Sequence, residues 1–281
     1  SEGVYIYQSG GFFSHRELKA DGYRSGNQGL WDQQFALDWV RRNIAKFGGD
    51  PRNVTIFGQG SGALDVCIHV ASPKSRGLFE QAIGQSGGCT TFHPYAEDAE
   101  KLVQTWATQL GCPESGCLDC LKTKQLSKLL TANPPTGVRP FVPVVDRDFL
   151  PDQPRLLFDD GDIARVPYIL GNNSDESKVY EESYASIHSE DAFKTTLQAE
   201  FPLITPERIL ERYTVRHFAD ADNPYQATLA RILGDARAIC PTYDTAVRVA
   251  NADVDTWMFT FDVSDSESGA PMSSGTCVLI Q

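Results

Sequence analysis

Val54-Thr55-Ile56-Phe57-Gly58-Gln59-Gly60-Ser61-Gly62-Ala63 reads as a buried strand, a glycine-dense turn and the first turn of a helix. Sequences of the form Gly-x-Ser-x-Gly use such a sharp strand-to-helix turn to hold a nucleophilic serine at its tip. Aligned on Gly58 and Gly62, the serine's place falls on Gly60, and the hydroxyl stands one position further on, at Ser61. The stretch keeps the mount and lacks the attacking group.

Working outward, strands alternate with helices. Val4-Tyr5-Ile6-Tyr7 is a short β-rich run that stops at Ser9-Gly10-Gly11-Phe12, a loop able to turn backbone N–H groups toward an anion. Leu30, Leu37, Val40, Ile44 and Phe47 recur at helical spacing, and Gly48-Gly49 with Pro51 supplies the stop, which predicts a helix from Trp31 to Phe47. Val54 to Phe57 is expected as a fully buried strand, Ala63 to Val70 as the helix after it, and Phe79 to Gly88 as a strand ending in glycines. Strand, helix, strand at this spacing predicts a right-handed crossover and a parallel sheet with helices on its faces.

Beyond Cys89 the pattern becomes helical from Ala96 to Leu130, and a proline-rich loop, Pro134-Pro135 through Pro143, leads into Val144-Val145-Asp146. Val166 to Gly171 reads as a return to the sheet. From Glu181 to Ala250 the chain is helical and amphipathic, with Phe193, Leu197, Phe201, Leu229, Ile232 and Ala236 on core faces. Trp257 to Phe261 is the last strand, and residues 263–281 form a Ser- and Gly-rich tail without periodicity. No internal repeat is visible.

The 281 residues and 41% apolar content provide ample core for one large domain or two small ones. A net charge of −12 argues against nucleic acid and anionic membrane as partners. No apolar run approaches a membrane span, and the chain opens at Ser1-Glu2-Gly3 with neither a signal-peptide core nor an initiator methionine. The seven cysteines are scattered, and the isolated Cys117-x-x-Cys120, with no second pair or nearby histidine, is weak evidence for zinc. The expectation is instead that Cys112 closes a short loop with Cys120 or Cys117 in an oxidising compartment, while Cys67 and Cys240 are buried thiols. No metal site and no cofactor are expected. Asn53-Val54-Thr55 and Asn172-Asn173-Ser174 are formal glycosylation sequons, each beside a predicted strand end, which argues against their occupancy.

Gly29-Leu30, Asp32-Gln33, Ala36-Leu37, Trp39-Val40, Asn43-Ile44 and Phe47-Gly48-Gly49-Asp50-Pro51, followed by Val54 to Gly58, resemble the signature of type B carboxylesterases, the family that includes cholinesterases. The likeness continues through Ser72-Pro73, Gly77-Leu78-Phe79, Gln85-Ser86-Gly87, Pro143 to Asp146, Phe149-Leu150-Pro151, Gly171-Asn172 with Asp175-Glu176, and Cys240-Pro241. It runs to about Asp262. The resemblance implies an α/β-hydrolase fold over residues 1–262, with a central, mostly parallel sheet flanked by helices and cap-like helical segments at about 96–140 and 181–250. It also implies ester hydrolysis through an acyl-serine, in an extracellular or secretory setting. By the same resemblance the oxyanion loop falls on Gln8 to Phe12, so Gly10 and Gly11 supply N–H donors and the Ser61 N–H a third. Glu176 matches the triad acid, which orients a histidine and stabilises its imidazolium. Ser86 matches a serine close to the active site.

Two departures bear on chemistry. Gly60 has no nucleophilic atom, and the triad histidine, due after Trp257 to Phe261, has no counterpart: His15, His69, His93, His188 and His217 all lie upstream. Ser61 points from the helix's first turn, where capping is its expected role. His69 lies eight helical residues on, roughly 12 Å along the axis, too far to serve as its base. Loss of the serine or histidine from such a triad costs on the order of 10⁶ in turnover. The family's extra strands before Val4 and its helical segment after the histidine are also missing, so the fold is expected to be incomplete, its sheet edges near Val4 and Trp257 exposed unless a protein partner or further segment covers them.

Three readings follow. The first is a carboxylesterase scaffold, catalytically inactive, whose pocket binds a small ester or apolar ligand if it survives. The second is an active hydrolase using Ser61 or residues outside this chain. The third is a non-catalytic recognition or adhesion domain, weighed below the first because no stalk, membrane span or Ca²⁺-binding loop is visible.

Overall fold

The structure, a computed structural model, describes residues 11–20, 22–132 and 141–262. The predicted strand at Val4 to Tyr7 and the tail beyond Asp262 lie outside the described residues. The chain divides into two compact units, Ser1–Val54 with Ile68–Glu80 and Thr91–Arg165, and Thr55–Cys67 with Gln81–Thr90 and Val166–Gln281.

The first unit is helical. The predicted helix runs over Gln28–Asn43, tightens through Ile44–Phe47 and stops at Gly48. Helices Ala96–Gln109 and Cys117–Lys122 bury Trp106, Ala107, Cys112, Cys117 and Leu121 in one cluster, against which Phe13 and Phe141 pack. Cys112 is bonded to Cys120, which decides between its two expected partners and leaves Cys117 a buried thiol. The Glu17 carboxylate accepts the N–H groups of Gly116, Cys117 and Leu118 at the start of the Cys117–Lys122 helix, where these donors have no partner within the helix. The bond from Leu118 is the largest of the influences that hold the Glu17 carboxyl below its ordinary pKa. Asn27 is buried and pairs through both side-chain atoms with the backbone of Val144, accepting from its N–H at 3.0 Å and donating to its carbonyl at 2.8 Å.

The second unit holds the sheet. Strands β1 (Thr55–Gln59), β2 (Gln81–Gln85), β3 (Tyr168–Asn173) and β4 (Thr256–Phe261) are all parallel and lie in the order β1-β2-β3-β4. Gly58 sits opposite Gly84, Ile83 opposite Ile169, and Gly171 opposite Phe259. One expectation is corrected here: β1 is not fully buried, because only one of its faces is covered among the described residues, and Ile169 of β3, in register with Phe57 through Ile83, is also exposed on the open face. Ile56 is 8% exposed, while Phe57, pointing to the other face, is 66% exposed. An unbroken apolar run does not say whether both faces of a strand are covered, because that depends on what packs against the sheet. The helix Ser61–Ala71 presses its start so closely onto β1 that a Cβ at Gly58 would fall 2.4 Å from the Gly62 backbone. That close approach demands glycine.

A disulfide not foreseen in the sequence closes this strand-helix-strand unit. Cys67, on the Ser61–Ala71 helix, is bonded to Cys89, just beyond β2, and both are fully buried. Cys240, expected to be buried, is instead exposed. A cross-link over 22 residues restricts the unfolded chain, which corresponds to about 3 kcal/mol. Replacing Cys67 and Cys89 together by serine is expected to lower the unfolding free energy by about that amount, read from the urea midpoint. An unchanged midpoint would mean that the bond contributes nothing.

The remaining helices pack Phe193, Leu197, Leu229, Ile232 and Leu233 into one cluster, as their helical spacing predicts. Ala236 departs from that face and is only half-buried. It lies in a π-helical turn, Asp235–Ile239, between helices Pro224–Gly234 and Cys240–Asn251. The wider turn resets the helical phase. Pro241 follows directly and has no N–H to continue an α-helical ladder.

Candidate active site

Gly60 forms the tip of the turn between β1 and the Ser61–Ala71 helix, with a left-handed backbone at φ +58°. The tip is pinned from two sides. Its N–H donates to the Gln85 carbonyl at the end of β2 (2.9 Å), and its carbonyl accepts from the Leu64 N–H in the first helical turn (3.1 Å). A Cβ at Gly87 would come within 2.6 Å of the Gly60 carbonyl oxygen, so the chain after β2 also lies tight against the tip. Among the described residues, a Cβ at Gly60 itself would meet nothing within 4 Å. Among the described residues the turn has room for a side chain, and it carries none.

Ser61 is the first residue of the helix and is exposed. Its hydroxyl makes no hydrogen bond among the described residues, so the expected capping interaction is absent and the helix start is held by the backbone at Gly60 instead. Of the expected oxyanion donors, Gly10 lies outside the described residues, and Gly11 belongs to the first unit.

Glu176 and Ser86 are brought together. The Ser86 Oγ–H donates to Glu176 Oε1 at 2.5 Å, and the Asn173 N–H donates to the same oxygen at 2.8 Å. Glu176 is 8% exposed. Ser86 reaches it from a left-handed backbone of its own, φ +56°, with its N–H donated to the Gly171 carbonyl at 2.7 Å. Positive φ in a non-glycine residue costs of order 1–3 kcal/mol; here it turns the hydroxyl at the end of β2 toward the carboxylate at the end of β3. The turn bearing Glu176 rests on Gly234, where a Cβ would come within 2.9 Å of the Glu176 carbonyl carbon. Beside it, burial opposes ionisation of Asp175, but the Ser177 O–H and N–H donated to its carboxylate and the charges of Lys178 and Arg231 outweigh that and hold its pKa below the usual range.

Glu176→Ala would strip the acceptor from two groups, and is expected to lower the unfolding free energy by about 3 kcal/mol, against about 1 kcal/mol for Glu176→Gln, which keeps an acceptor. Equal losses for the two substitutions in a denaturant titration would contradict this role.

The histidines go elsewhere. In the same unit, His188 Nδ1 lies 3.1 Å from Asn223 Nδ2, and His217 sits in the tight turn Val215–Phe218. In the first unit, His15 meets Gln104, His93 meets the Pro143 carbonyl, and His69 is sealed between Ser75 and Gln33. Among the described residues no histidine is hydrogen-bonded to Glu176. No group of three or more histidine, cysteine or acidic residues there could hold a metal ion, and in the Cys117-x-x-Cys120 pair the second sulfur is taken by the bond to Cys112. No described helix is long and apolar enough to cross a membrane.

Sequence reasoning missed the Cys67–Cys89 bond, the left-handed backbone at Ser86 and the Asn173 N–H donor. For the first the available signal was position: one cysteine follows the glycine turn by seven residues and the other follows Ser86 by three. For Ser86 the signal was the adjoining Gly87-Gly88.

The family model described as Carboxylesterase family matches residues 9–278. Over 266 residues the chain is 31% identical to a protein named cholinesterase from Mus musculus, an alignment covering 86% of this chain and 44% of that protein. Over 274 residues it is 31% identical to an acetylcholinesterase from Bungarus fasciatus, covering 90% of this chain and 45% of the relative. The chain thus spans less than half the length of these curated relatives.

Proposed function

The chain belongs to the carboxylesterase family, and from that premise we propose that it is a carboxylesterase-type domain that has lost acyl-serine chemistry at its nucleophile. The observation that carries this reading is the left-handed tip at Gly60, pinned by Gln85 and Leu64, with space for a side chain and no atom to attack with. In this reading Glu176, held by Ser86 and Asn173, is the triad acid without a histidine to orient. The Ser61 N–H is an oxyanion donor in this reading, and the ligand is a small ester or another apolar molecule.

The loss is a matter of magnitude. An oxyanion hole and binding alone accelerate hydrolysis by roughly 10³–10⁴ over water, while a serine or histidine missing from the triad forfeits on the order of 10⁶. Ser61 does not restore it. Its hydroxyl stands one residue beyond the tip, exposed and hydrogen-bonded to no base among the described residues. Two disulfides support an oxidising, extracellular or secretory setting.

Hydrolysis of p-nitrophenyl acetate and butyrate by the chain tests the proposal. The expected result is a slow linear rate with no burst. A burst of p-nitrophenol stoichiometric with protein would overturn it, since a burst reports an accumulating acyl-enzyme.

A further inference from the structure

We propose that Asn53 carries an N-linked oligosaccharide and that Asn172, the other residue in an acceptor sequence, does not. Asn53-Val54-Thr55 and Asn172-Asn173-Ser174 both match the acceptor pattern, and the folded chain separates them. Asn172 is 4% exposed, lies within β3 between β2 and β4, and faces Thr260 across the sheet. An oligosaccharide on its amide would have to pass through the packed face of a parallel sheet. Asn53 is exposed at the end of a tight turn whose N–H donates to the Asp50 carbonyl at 3.1 Å. Its side-chain amide makes no hydrogen bond among the described residues, so a sugar attached there displaces nothing. Neighbouring Arg52 has an 89% exposed side chain, which extends the open surface around the site.

In the transfer, the Asn53 amide nitrogen forms a bond to the anomeric carbon of a lipid-pyrophosphate-linked oligosaccharide. The bond from that carbon to the pyrophosphate oxygen breaks, and the amide loses one proton as the pyrophosphate leaves. In the folded chain the Thr55 hydroxyl donates to Gln81 at 2.9 Å, an exposed hydrogen bond that the transfer must displace. The proposal rests on the reading of an oxidising, secretory setting.

Translation of the full chain behind a secretory leader, in the presence of microsomes, tests it in the protease-protected fraction. The expected result is a single mobility shift, removed by peptide-N-glycosidase, with heavy-oxygen aspartate appearing at position 53 when the enzyme acts in labelled water. Asn53→Gln and Thr55→Ala should each abolish the shift, Thr55→Ser should retain it, and Asn172→Gln should leave it unchanged. A protected chain without a shift, or with the label at position 172, overturns the proposal. Neither result bears on the compartment, which is tested separately by whether the natural protein has both disulfides formed.

Discussion

Gly60→Ser is expected to lower the unfolding free energy by about 1–3 kcal/mol and to leave ester hydrolysis at the level of the unsubstituted chain. Both halves follow from the tip. A side chain at φ +58° occupies a backbone region that costs an L-residue of order 1–3 kcal/mol. No clash with a described residue adds to it, because a Cβ there meets none of their atoms within 4 Å. Gly60→Ala should therefore cost the same as Gly60→Ser within experimental error, which isolates the backbone from the hydroxyl. On the proposed reading the hydroxyl, although returned to its mount, has no histidine to take its proton, and a triad lacking its base turns over little better than one lacking both groups. Urea unfolding reads the first half and p-nitrophenyl ester turnover the second. A serine variant as stable as the original, or one that hydrolyses ester orders of magnitude faster, would contradict the reading of this turn.

The second large effect lies in the other unit and concerns acid. His69 is buried as a neutral ring, with Nδ1 2.7 Å from Ser75 Oγ, Nε2 2.9 Å from Gln33 Oε1 and Phe149 edge-on. The neutral form with its proton on Nε2 suits both contacts, donating to Gln33 and accepting from Ser75. Burial pushes its pKa down to about 4 from the ordinary 6.5. The folded state thus prefers the neutral ring, while the unfolded chain takes up a proton at 6.5. The His69 contribution is complete above pH 6.5 and is lost as pH falls toward 4, to a total of about 3 kcal/mol. Unfolding free energies measured at pH 7 and pH 4.5 should differ more for the unsubstituted chain than for His69→Gln, by about 2–3 kcal/mol. Identical pH dependence in the two proteins would show that the ring titrates normally.

How much was legible in the sequence depends on whether a feature is local. The turn at Gly58 to Gly62, the Gln28–Asn43 helix and the stop at Gly48 are written in short-range spacing, and the structure has each within a few residues of its expected place. Four parallel strands flanked by helices agree with the α/β-hydrolase class that the resemblance implied. The exposure of Phe57 was not legible, since nothing within Val54 to Phe57 says that one face of the sheet is uncovered among the described residues. Nor was the half-exposed Ala236, because a π-helical turn shifts the phase that the periodicity assumed. Cys67 and Cys89 are joined across a strand-helix-strand unit, a distance in sequence at which pairing depends on the fold rather than on spacing. In the candidate site, the meeting of Ser86 and Glu176 needed β2 and β3 side by side, and the two residues are 90 positions apart.

The proposed loss of acyl-serine chemistry has one direct test, which is exposure of the folded chain to an alkyl fluorophosphonate followed by peptide mapping of every serine. The account predicts an unmodified protein, with Ser61 and Ser86 both free of adduct after exposure that saturates an active serine esterase run alongside. A stoichiometric adduct on Ser61 or Ser86 would contradict it.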